Sequence, residues 1–110
     1  MSLSVLTFAV TASAAAKPVR TADAACRLVK EDVSRARHMR SSAGEFCDII
    51  PAAKSPPGLF VIGLHHVRSK EDCPDICSTS MGWFAVRKRT GEVREFDVNE
   101  WRMGPPIASH

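Results

Sequence analysis

With 110 residues the chain is long enough for one small domain and no more. No stretch reaches the roughly 20 consecutive apolar residues of a bilayer-spanning helix, which argues against stable membrane insertion. The net charge of +3 is modest, and Lys and Arg are interspersed with Asp and Glu, so the continuous basic face with aromatic platforms that nucleic acid requires is missing.

Residues 1–16 (MSLSVLTFAVTASAAA) carry no charge, are apolar through Val5–Val10, and end in small residues before Lys17-Pro18 opens the polar chain. Apolar region, small-residue site and polar start together predict a secretory signal. The first basic residue is Lys17, so the segment lacks the positive start of a full signal; an apolar element of the domain is the alternative. Its alanines disfavour a strand. Residues 17–110 are then a single domain in a periplasmic or secreted setting.

From Ala22, apolar residues recur at three- and four-residue steps (Ala22, Ala25, Cys26, Leu28, Val29, Val33, Ala36), predicting an amphipathic helix over 22–40. Thr21 is its expected N-cap, and Asp23 sits where the helix dipole favours negative charge. Arg35, Arg37, His38 and Arg40 suit the opposite end, and Ser41-Ser42-Ala43-Gly44 is the expected stop. Phe46–Ile50 reads as a short strand ended by Pro51, and Ala52–Gly58 as a loop. Gly58–Val67 reads as a central strand, apolar on both faces at its start. Residues 68–81 read as a polar surface loop. Trp83–Lys88 and Glu92–Val98 form the strongest β signal, joined by a three-residue turn, Arg89-Thr90-Gly91, with Gly at the position needing positive φ. The pattern predicts an α+β fold: one helix packed on a small antiparallel sheet of three to four strands, stapled by disulfides.

Four cysteines in a small exported domain predict two disulfides. Three connectivities are possible. Pro74 and Asp75 favour a turn that brings Cys73 to Cys77, which leaves Cys26 to join Cys47 across the helix and the following strand.

The stretch Gly82-Trp-Phe-Ala-Val-Arg-Lys-Arg-Thr-Gly-Glu-Val-Arg-Glu-Phe-Asp-Val98, with a helix upstream, resembles the closing hairpin of PepSY-like domains and related small secreted proteins. The resemblance covers about seventeen residues plus the helix. It implies a small exported domain that binds or inhibits another protein, as peptidase-inhibitory modules and immunity proteins do.

Chemistry is weighed against that reading. His65-His66 with Cys73 and Cys77 are four candidate zinc ligands, yet adjacent strand residues point to opposite faces and export favours oxidised sulfur. No metal and no other cofactor is therefore expected. The Cys-x-x-x-Cys spacing with Pro74 departs from the Cys-x-x-Cys of thiol–disulfide enzymes. Ser78-Thr79-Ser80 beside His65 or His66 lacks a Gly-x-Ser-x-Gly elbow. Among Glu92, Glu95, Asp97 and Glu100, the carboxylates of 95 and 97 share a strand face and serve as counter-charges across the hairpin. The expected function is a non-enzymatic protein-binding module, monomeric or dimeric, that restrains a hydrolase, peptidase or toxin. Its contact residues would be Arg87, Lys88 and Arg89 at the hairpin tip, the aromatics Trp83 and Trp101, and Asp75 and Ser78 on the pinned loop; Trp and Arg dominate interface hot spots. The alternatives are a small hydrolase or metal enzyme using His65 or His66, and a structural subunit of an envelope assembly.

Overall fold

The computed structural model describes residues 17–39, 44–67 and 78–108. The expected signal segment, Cys73, Cys77 and Asp75 lie outside the described residues. Helix α1 (Ala22–Ala36) starts as expected: Thr21 Oγ1 accepts from the Ala24 amide at 3.1 Å, and Asp23 lies in the first turn. It buries Ala25, Val29 and Val33, the stripe that the three- and four-residue spacing sets on one face.

The helix stops at Ala36 rather than running to residue 40. His38 turns left-handed (φ 55°), and two reverse bonds close the end: Met39 N to Ser34 O at 2.8 Å and His38 N to Arg35 O at 3.3 Å. This is a Schellman termination with histidine where glycine is usual.

Five strands follow: β1 (Glu45–Ile49), β2 (Leu59–Val67), β3 (Ser78–Arg87), β4 (Val93–Asp97) and β5 (Arg102–Met103), with a 3-10 turn at Ala52–Lys54. Every neighbouring pair is antiparallel and the spatial order is the chain order. The sheet therefore has five strands rather than three to four. The additional one, β5, is two residues long, too short to leave a periodic signature.

β3 begins at Ser78, inside the stretch expected to be loop. Val67 pairs with Ser78, and the register slips between Leu64 and His65, leaving Met81 as the extra residue of a bulge on β3. The bulge breaks the two-residue alternation just where Ser78–Gly82 would have to display it.

Both sheet faces are apolar. On one, Val29 and Val33 of α1 meet Ile62, Leu64, Phe84 and Val86, all fully buried. Each such side chain contributes about 1.5–3 kcal/mol by leaving water. On the other, Leu59, Val61, Ala85 and Phe96 form a second cluster with Ile50, Trp83 and Met103 around it. The expectation that β2 is apolar on both faces is met for this reason. Cys26 is bonded to Cys47, tying α1 to β1 as expected. No described helix is long and apolar enough to cross a membrane.

Candidate functional site

The tip of the β3–β4 hairpin gathers three of the expected contact residues. Its loop holds four residues, Lys88–Gly91, rather than three. The Gly91 amide donates to Arg87 O at 2.8 Å, and the Arg87 amide to Glu92 O at 2.9 Å. Lys88 does not extend the strand because its amide donates instead to Gly58 O at 2.9 Å, joining the tip to the turn before β2. The lead-in to α1 braces the tip from the other side, through Val19 N to Lys88 O (2.7 Å) and Lys17 N to Thr90 O (3.1 Å). Gly91 has φ 78°, which favours glycine, and a Cβ there would crowd Lys17 O at 3.1 Å.

Between the tip and the preceding turn lies an open cleft of about 390 Å³ lined by Pro57, Gly58, Leu59, Arg87, Arg89 and Thr90. Arg87 is held by Glu92, Nε to Oε1 at 2.7 Å. Arg89 is exposed and makes no ion pair among the described residues, so its charge is available. Lys88 turns away: its ammonium lies 4.8 Å from the centre of the Phe60 ring. A rigid rim, an apolar floor at Leu59 and one unneutralised guanidinium suit a carboxylate-bearing polypeptide surface.

Neither tryptophan lines this cleft. Trp83 is half-buried, its ring flat against Gly63, where a Cβ would come within 2.8 Å of the indole. Trp101 meets Phe96 edge-on with centroids 5.0 Å apart, and its Nε1 donates to Lys54 O at 3.1 Å. Both are structural first, although Trp101 keeps 43% of its surface exposed. Ser78 sits at the start of β3, paired with Val67, and not in a loop.

The two histidines take opposite faces of β2, as adjacent strand residues must. His65 stacks on Phe46 with centroids 5.0 Å apart and 16° between planes. Its Nε2 stands 2.8 Å from Asp48 Oδ2, close enough for an ion pair but off the line of a hydrogen bond. Ser80 is in register with His65 across β3, which sets Asp48, His65 and Ser80 on three successive strands. No side-chain hydrogen bond joins His65 to Ser80; the Ser80 hydroxyl accepts from the Gly82 amide at 3.3 Å. His66 pairs in register with Glu45. Among the described residues no three His, Cys, Asp or Glu side chains converge as metal ligands do.

Sequence reasoning read Ala52–Gly58 as a loop but did not place its end against the hairpin, where Pro57–Leu59 supply half of the cleft. Its only signal was the Pro56-Pro57-Gly58 run, and what brings it to the hairpin is the long-range pairing of Leu59 with Arg87. In comparisons with known proteins, no family, no curated protein and no solved structure matches this chain.

Proposed function

We propose that the chain is an exported protein-binding module that restrains another envelope or secreted protein, and that the Arg87–Gly91 tip with its cleft is the contact. The observation that carries this reading is the cleft itself. A hairpin tip is normally mobile, and this one is bonded to the Gly58 turn on one side and to Lys17 and Val19 on the other, with Arg89 left without a counter-charge. A contact surface already rigid loses little entropy on docking. The tip belongs to the hairpin that resembles PepSY-like domains, which agrees with a binding or inhibitory role. The Cys26–Cys47 bond fits an oxidising compartment and thus an exported module.

The mechanism is steric: the braced tip enters or covers the partner's cleft, with Arg89 on a partner carboxylate. The test is affinity capture from envelope and culture fractions, followed by titration of the purified partner against wild type, Arg89→Glu and the Arg87→Ala/Arg89→Ala double variant. Loss of about tenfold or more in affinity, with matching loss of any inhibition, is expected, since buried charge pairs at interfaces carry energies of that order. A partner that binds all three proteins equally places the contact elsewhere and sinks the proposal.

A further inference from the structure

The two edges of the sheet are built differently. The outer edge of β4 is closed by β5 and the segment after it: Gly104 N donates to Glu95 O at 2.7 Å, and Glu95 N to Pro105 O at 2.9 Å. At the opposite edge, β1 pairs only with β2. The flanking bonds fix which way its backbone groups point. Ile50 N donates to Val61 O (3.1 Å) and Val67 N to Gly44 O (3.0 Å), so the even-numbered residues of this segment face β2. The amides and carbonyls of Glu45, Cys47 and Ile49 therefore face away from the sheet, and no described hydrogen bond uses them.

β1 contains no proline and no lysine, and it exposes Phe46 (39%) and Ile49 (41%). Charge decides what can dock there. β1 carries two carboxylates, Glu45 and Asp48, and no cation. Pairing with a second copy about Cys47 would set the two exposed Asp48 carboxylates on one face as diagonal neighbours across the ribbon, which like-charge repulsion disfavours. A foreign strand bearing a cation is favoured by the same charges. Asp48 is largely exposed; its Oδ2 stands 2.8 Å from His65 Nε2, which leaves Oδ1 for an incoming cation, whereas the buried Glu45 carboxylate is out of reach of a docking strand.

We propose that β1 is a docking edge for an extended segment of another protein, added as a sixth strand, with an apolar side chain over Phe46 and a Lys or Arg two residues away beside Asp48. Main-chain bonds to Cys47 and Ile49, the outward-facing residues of β1 that are not buried, supply affinity, and the Phe46–Asp48 pair supplies selectivity. This surface stands apart from the hairpin tip and does not depend on it.

The test is a titration of the oxidised, isotope-labelled protein, followed by amide NMR. The probes are the acetylated peptides Thr-Phe-Val-Lys-Val-Thr and its counterpart with Glu in place of Lys. Shifts and exchange protection centred on Cys47 and Ile49, with at least about tenfold preference for the Lys peptide, are expected. Ile49→Pro removes an outward N–H that the sheet does not use, so it should abolish binding while keeping the native spectrum. Asp48→Lys should reverse the preference, and carries the test if the proline variant fails to fold. Equal binding of the two peptides, no β1 shift at about 2 mM peptide, or a dimer whose interface is β1 would each overturn the proposal.

Discussion

Among the described non-glycine residues, His38 and Trp101 hold positive φ, at 55° and 56°. Each is held by its surroundings. Trp101 follows a turn in which Asp97 Oδ1 accepts from the amides of Asn99 (2.9 Å) and Glu100 (3.0 Å), and its ring is fixed by Phe96 and Lys54. His38 has only the two reverse bonds of the helix end, and its side chain is exposed. An L-residue in this conformation costs about 1–2 kcal/mol, part of which glycine returns as unfolded-state entropy. His38→Gly is therefore expected to raise stability by about 1 kcal/mol, read as a higher urea midpoint at constant m-value. A lower midpoint would mean that the imidazole has a role the backbone does not account for.

At the scale of the element, the Cys26–Cys47 bond joins α1 to an edge strand of the sheet, across a sequence separation of 21. A closed loop of that length contributes about 3 kcal/mol by restricting the unfolded chain. The Cys26→Ser/Cys47→Ser double variant should lose roughly that much in chemical denaturation, and β1 amides should exchange before those of β2 and β3. Uniform loss of protection would show that β1 and the rest of the sheet unfold as one. The elements differed in how legible they were. The start of α1 was plain because capping and periodicity are local. Its end was not, because Arg37 and His38 are ordinary helix residues: His38 takes a left-handed turn without the glycine that marks one, and Arg37 is drawn to Met81 and Ala108 far along the chain. The hairpin strands were legible from Trp83, Phe84, Val93 and Phe96. The first part of β3 was hidden by the Met81 bulge, and β5 by its brevity. In the candidate site, the arginines were visible in the sequence; the Pro57–Leu59 wall was not, since only strand pairing brings it there.

At the scale of the molecule, the C-terminal segment acts as a clasp. Ala108 N donates to Glu95 Oε2 at 2.7 Å, and Ile107 packs on the helix-side core. Arg37 reaches from the helix end to Met81 O (2.9 Å) and Ala108 O (3.4 Å), with its guanidinium 5.7 Å from the centre of the Phe84 ring. One side chain thus links helix, bulge and tail. Arg37→Ala should cost about 1–3 kcal/mol, the range for hydrogen bonds made by a charged donor. Amide exchange at 104–108 should quicken more than at the hairpin tip. Equal quickening at both would show that the tail is held by the sheet alone.

The disulfide has a further consequence for biosynthesis. Exported as proposed, the chain would enter an oxidising compartment N-terminus first and present Cys26 and Cys47 together while Cys73 and Cys77 are still to come. The first pair can cross-link before β2, β3 and β4 exist, so the wrong partners are absent when the choice is made. On that proposal, order of arrival would select the bond as much as proximity in the finished fold does.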